Sequence, residues 1–460
     1  MQNNPGGRVV RVLALVLALI LGFDDRLAKA QELNEYEPGE VVVKLLQHGD
    51  LPGVATDFDL DPTPLDQFGA RPIYRLRILD GTPPPDKAAA LLTDSRVLYA
   101  EPNYIQQTPE GQQRVSWARG GDAGDYTGQW VGDFIGLPAA HTVTRGVGVI
   151  VAVLDTGIDR NHPVLAGRVL PGYDFVDMDD DPSEVGEHDV DITYGHGTHV
   201  AGLVALAAPD VQILPVRVLD RDGAGNLWVL AEALAYAVNP DGNINTPDGA
   251  HVINLSLSTQ RQTNLLDEIL GDVICEDDDN DDGIRAVRDD DDDDCLASPG
   301  QGAVVIAAAG NRASTTPEYP AAETQPGLLA VTANTEADTL ADFANFGAWV
   351  QVAAPGDRIL SSVPGGVYGA WSGTSMAAPL VAGQAALVRS IAPLWSAAQV
   401  SDRIRTTAHG PLGEPPRIDV AASLGLPPTT RPLLDGKTPG GGDNNPAPET
   451  RRLYLPVMTG

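Results

Sequence analysis

Apolar residues along the 460-residue chain fall into short runs whose spacing changes once, and that change divides the chain. Between residues 31 and 110, Glu40-Val41-Val42-Val43-Lys44-Leu45 and Ile73-Tyr74-Arg75-Leu76-Arg77-Ile78 have strand character. A helix-like stretch follows from Lys87 to Thr93, then a further strand-like run at Val97-Leu98-Tyr99-Ala100. Together they predict a small α+β domain. From about Val131 to Leu424 the runs are apolar throughout: Val147 to Leu154, Val211 to Leu219, His251 to Leu257, Ala303 to Ala309 and Leu328 to Ala333. They alternate with helix-like stretches, which predicts one α/β domain with a parallel sheet covered on both faces.

The two ends differ from both regions. Arg8 and Arg11 precede an apolar run from Val12 to Phe23, and Ala28-Lys29-Ala30 has the small-x-small form of a cleavage site. The run falls short of the roughly 20 residues that cross a bilayer, so residues 1–30 are expected to be a signal peptide and the product to be secreted. Residues 426–460 form a Pro/Gly-rich linker and short tail. Charge adds two points. A formal net charge of -33 disfavours nucleic acid and anionic membranes as partners. About a third of the excess sits between Cys275 and Cys295, a segment with twelve acidic and two basic residues. The two cysteines can pair in an oxidising compartment or remain free thiols, and the segment reads as a solvated loop.

Candidate chemistry concentrates in three places. The run ending in Leu154 continues as Asp155-Thr156-Gly157, which puts a carboxylate at the carboxyl end of a buried strand, where open α/β sheets build sites. Gly195-His196-Gly197-Thr198-His199 opens a helical run, and its glycines allow close approach to the His196 imidazole, a group that takes and returns protons near neutrality. Ser372-Gly373-Thr374-Ser375-Met376-Ala377-Ala378-Pro379 begins another helix, so the Ser375 hydroxyl lies among free N–H groups that favour negative charge. Alone, each has a structural explanation: a cap, a core histidine, an N-cap serine.

Together, in the order Asp, His, Ser, these motifs resemble the subtilisin-like serine protease family from about Gln129 to Leu424. The resemblance implies a three-layer α/β fold with a mainly parallel sheet. It implies acyl transfer with Ser375 as nucleophile, His196 as general base and Asp155 orienting the imidazole, without a metal or cofactor in the chemistry. Asn311, at the end of Ala307-Ala308-Ala309-Gly310-Asn311, becomes the oxyanion donor, and His199 becomes structural. Ser256, Leu257, Ser258 and Gly310 are expected to line the substrate. Glu318, before Tyr319-Pro320, would lie at the base of the first specificity pocket and favour Arg or Lys unless Arg312 neutralises it. Calcium is the expected structural cofactor, at Asp174, Asp177 and Asp179; the family's stronger site is missing, since Val164 follows His162-Pro163.

Residues 31–110 resemble the family's propeptide, most closely at Val97 to Tyr104. They are expected to act as an intramolecular inhibitor of the peptidase domain 111–425, which carries the insert 275–295. Cleavage would fall between about Gln106 and Gln129. The expected partners are protein or peptide substrates and the chain's own propeptide, with the enzyme a monomer. The competing reading is a protease that cuts only its own prodomain and then acts as a binding protein.

Overall fold

The structure is a computed structural model that describes residues 35–113, 117–275, 295–297, 302–410 and 415–429. The expected signal peptide, the interior of the acidic insert and the tail from residue 430 lie outside the described residues.

The N-terminal strands are longer than their apolar runs. β1 (Tyr36–Leu45), β2 (Asp66–Gln67), β3 (Ile73–Arg77) and β4 (Val97–Gln107) form an antiparallel sheet in the order β2-β3-β1-β4. Helices α1 (Leu51–Asp57) and α2 (Pro84–Leu91) accompany them. Val41, Val43, Leu45, Val54, Tyr74, Leu76 and Leu91 make a small core of their own. β4 outruns its four-residue signal because its second half pairs outside this unit: Ile105, Gln106 and Gln107 add antiparallel to β9 (Ala224–Asn226). A short helix, α3 (Pro109–Gln113), follows.

The large unit meets the expectation of an α/β fold. β6 (Ile150–Asp155), β7 (Tyr173–Asp174), β8 (Gln212–Arg217), β10 (Val252–Leu255), β11 (Val304–Ala308), β12 (Leu328–Asn334) and β13 (Val352–Pro355) make one seven-stranded sheet. Its order is β13-β12-β11-β10-β6-β8-β7, and every pairing is parallel. The first strand, β6, lies inside the sheet, with later strands added on both sides of it. The switch in direction therefore falls between β6 and β10, at whose carboxyl ends open sheets place their ligands. A separate antiparallel sheet joins β5 (Ala118–Arg119), β14 (Ile359–Val363) and β15 (Val367–Trp371).

Two helix pairs flank the large sheet: α4 (His196–Ala207) packs on α7 (Thr374–Ile391), and α5 (Leu227–Val238) on α6 (Asn264–Ile274). Helix α8 (Ala397–Thr407) covers the end of α7. Every residue of α7 from Thr374 to Arg389 is buried, since its faces are apolar or small apart from Gln384 and Arg389, which donate to Asp419 O and Gly302 O. Cys275 and Cys295 form a disulfide at the end of α6.

Candidate active site

Three chain segments far apart in sequence bring their polar side chains to the carboxyl ends of β6, β10 and β11. Asp155 is the last residue of β6 and fully buried. Its Oδ1 accepts from its neighbour's backbone, Thr156 N, at 2.8 Å and from His196 Nδ1 at 2.7 Å. His196 begins α4, where Gly197 permits the contact: a Cβ there would run into Gly157 O and come within 3.1 Å of Asp155 Cβ. His199, one turn on, donates through Nε2 to Ile359 O and Gly369 O, both at 3.1 Å, and burial holds its pKa down at about 3. It is a neutral strut between α4 and the antiparallel sheet.

Ser375 lies in the first turn of α7. Pro379 has no N–H to give to the carbonyl four residues back, and Ser256 Oγ supplies a donor to Ser375 O at 3.3 Å instead. Asn311 follows β11, and its amide has only one possible orientation. Its Oδ1 accepts from Thr374 N at 2.9 Å and Thr374 Oγ1 at 3.0 Å, which turns Nδ2 toward the catalytic cleft.

That cleft holds a group that the sequence reading missed. The carboxylate of Glu110, in α3, is buried against all three catalytic elements. Glu110 Oε2 accepts from Ser375 Oγ at 2.7 Å and lies 3.0 Å from His196 Nε2, while Oε1 accepts from Asn311 Nδ2 at 2.8 Å. Gly373 makes room for it; a Cβ there would collide with Glu110 Oε1. With a carboxylate on each nitrogen the imidazole must donate twice. Burial opposes the charge, but Asp155 and Glu110 outweigh it and raise the His196 pKa to about 10. The resemblance of Val97 to Tyr104 to the end of a prodomain points toward this segment, but nothing in the spacing marks Glu110.

The chain leading to Glu110 lies in the cleft as a middle strand. Gln107 exchanges backbone hydrogen bonds with Ser258, at 3.1 and 2.8 Å, and Thr108 N donates to Gly223 O at 3.0 Å. On its other side it pairs with β9. Of the expected substrate-lining residues, Ser258 thus contacts this strand through its backbone, Leu257 is in the core, and the Ser256 hydroxyl points at α7. Gly310, with φ +98°, sits against Glu318, whose carboxylate a Cβ at that position would strike.

Glu318 itself is buried and fully satisfied. Ser258 Oγ donates to it at 2.6 Å, Asn345 Nδ2 at 3.0 Å, and half-exposed Arg312 pairs with it at 3.1 Å. The Ser258 hydroxyl is therefore spent on Glu318. The Asp174 loop is occupied in a similar way. Arg217 Nη1 reaches Asp174 Oδ2 and Asp177 Oδ2, both at 2.5 Å, while Asp174 Oδ1 takes Val176 N and Asp177 N. A guanidinium thus balances the Asp174 and Asp177 carboxylates, while Asp179 Oδ1 accepts from Asp181 N at 2.9 Å. Among the described residues no group of three or more His, Cys, Asp or Glu side chains is arranged to hold a metal. No described helix is long and apolar enough to cross a membrane.

The chain resembles known proteins. The chain is 38% identical over 315 residues to a thermophilic serine proteinase of Bacillus sp. (strain AK1), a match covering 65% of each chain and so just under two thirds of that relative. It is 36% identical over 266 residues to thermitase of Thermoactinomyces vulgaris, covering 56% of this chain and 80% of thermitase. The fold is that of fervidolysin from Fervidobacterium pennivorans, with a TM-score of 0.65 at 22% identity over 86% of this chain and 62% of fervidolysin. Residues 146–443 match the subtilase family. With its parallel sheet and its Asp, His and Ser at the ends of β6, α4 and α7, the chain belongs to the subtilase family.

Proposed function

We propose that the chain is the precursor of a secreted serine endopeptidase that hydrolyses peptide bonds through an acyl-enzyme and releases itself from its own N-terminal domain. One observation carries the reading: two oxygens of a single carboxylate meet Ser375, His196 and Asn311 together. A substrate carbonyl carbon placed where that carboxyl carbon lies has a hydroxyl nucleophile, a base and an oxyanion donor within hydrogen-bond reach. Once Glu110 leaves, His196 Nε2 is free to accept the Ser375 proton. The serine oxygen attacks the carbonyl, the oxyanion takes Asn311 Nδ2, and His196 protonates the leaving amine. Water then repeats the sequence on the ester and regenerates Ser375.

Substrates bind in this reading as the β4 end does, extended between β9 and Ser258. Residues 31–110 are the propeptide, residues 1–30 the signal peptide, and 111–425 the working peptidase. Basic side chains before the cut require Arg312 to swing away from Glu318. A calcium ion at Asp174, Asp177 and Asp179 requires Arg217 to turn away in the same manner; loss of thermal stability on adding EDTA is the measurement that tests it.

The second reading, a protease that stops after cutting itself, is favoured by the depth of the Glu110 contact. Secreted protein run on SDS gels separates the two. A loss of about 80 to 100 residues from the mature end, together with turnover of casein, supports the endopeptidase. A cleaved but stable complex that leaves casein intact supports the self-limited enzyme. Processing and turnover that survive in Ser375→Ala would refute both.

A further inference from the structure

Helix α4, which carries His196, begins at Gly195, a residue with no side chain to cap it. The cap comes from elsewhere. Glu184, in the loop after β7, is a partly buried carboxylate whose Oε2 accepts from Thr198 Oγ1 at 2.8 Å and Thr198 N at 3.2 Å, with a further bond from the Gly195 backbone. Its Oε1 accepts from Thr156 Oγ1 at 2.6 Å, and the same hydroxyl accepts from Gly197 N at 3.0 Å. All its partners are donors, so the pocket is shaped for an anion at a helix N-terminus.

The partners flank the catalytic pair: Thr156 follows Asp155, and Gly195, Gly197 and Thr198 surround His196. Asp155 depends on this clamp, because both of its protein hydrogen bonds fall on Oδ1 and one comes from Thr156 N. We propose that Glu184 is a positioning residue of the peptidase, which ties the Asp155-Thr156 turn to the first turn of α4 and so fixes the orientation of the Asp155 carboxylate against His196. The proposal rests on the assignment of Asp155, His196 and Ser375 as the catalytic residues.

The charged and titratable groups around it are Asp155, His196, Tyr194 and Asp159. Burial and then the Asp155 charge raise the Glu184 pKa to about 7, against the pull of Thr156 and Thr198. A negative charge so placed favours the imidazolium form of His196 by Coulomb attraction.

The test uses the full chain: wild type, Glu184→Gln and Glu184→Ala after self-processing, and Ser375→Ala, which is expected to stay unprocessed. Glu184→Gln keeps the shape and removes the charge. The acid limb of its kcat/KM profile should move to lower pH by roughly half a unit to one unit. The low-field Nδ1 proton resonance of His196 should shift or broaden as well. Glu184→Ala should lower kcat at least about tenfold with KM within about twofold. A Glu184→Gln profile and resonance that superimpose on wild type would overturn the proposal, leaving Glu184 as a loop anchor. Failure of both Glu184 variants to fold would overturn it too, since Glu184 would then be a folding residue. An active Ser375→Ala, by contrast, removes the catalytic assignment itself.

Discussion

Asn311 and Thr374 illustrate how much of the site is decided one side chain at a time. An asparagine amide can be flipped, and only the two Thr374 donors on Oδ1 aim Nδ2 at the cleft. Replacing Asn311 by Ala should lower kcat by about 10² to 10³-fold with little change in KM, the cost of one lost oxyanion donor. Thr374→Val keeps the backbone donor and loses the hydroxyl, and about a five- to tenfold fall is expected. Steady-state kinetics on a peptide substrate measure both. If Glu318 lies in the specificity pocket, the balance there is between Glu318 and Arg312. Arg312→Ala strips the buried carboxylate of its one cationic partner and should raise the preference for Arg over Phe before the cut by at least about tenfold. An unchanged ratio in paired peptides would mean that Glu318 faces away from the substrate.

At the scale of elements, β4 does more than continue a small sheet. Two of its residues serve as caps for helices of the large unit. Glu101 accepts from Asn264 N at 2.8 Å and Leu265 N at 3.0 Å at the start of α6, and Asn103 Oδ1 accepts from Trp228 N at 3.1 Å at the start of α5. Lys44 and Arg71, from the same unit, reach Glu268 and Asp272 along α6. The small unit is thus held by the dipoles of two helices and a set of ion pairs. Glu101→Ala should weaken inhibition of the mature enzyme by the separately added segment 31–110 about 5- to 30-fold, equivalent to about 1–2 kcal/mol for one cap. Inhibition titrations measure the change. At the other end of α6, the disulfide closes a loop of 20 residues in sequence separation. Replacing both cysteines by Ser should cost about 3 kcal/mol of stability by loop entropy, measured by denaturant unfolding.

For the whole molecule, the central consequence is electrostatic. With Glu110 in the cleft His196 is held as an imidazolium between Asp155 and Glu110, its pKa raised from 6.5 to about 10. A raised histidine pKa contributes stability in full below about 6.5, and that stability is lost as pH climbs through about 10. In a Ser375→Ala background, which under the proposed function cannot process itself, Glu110 should therefore stabilise the full chain to its greatest extent at about pH 6.5 and just below. The advantage over Glu110→Gln should shrink steadily toward pH 10. Thermal melting of the two across that range measures it, and a difference independent of pH would mean that the carboxylate holds no charged imidazole.

The sequence by itself determined the layers and the family motifs from which the reaction-bearing residues are proposed. Asp155, His196, Ser375 and Asn311 sit in short motifs at the ends of apolar runs, and those runs became β6, β10, β11 and β12 because burial on both faces leaves a continuous hydrophobic signature. Only the tertiary structure decided what those residues meet. Glu110, Glu184 and Arg217 carry no local pattern, being single charged residues in loops, short helices or strand ends. Their roles arise from neighbours 265, 14 and 43 positions away in the chain. Hydrophobic periodicity reports which side of an element is buried, whereas the partner of a buried charge is fixed by how elements from distant parts of the chain pack together.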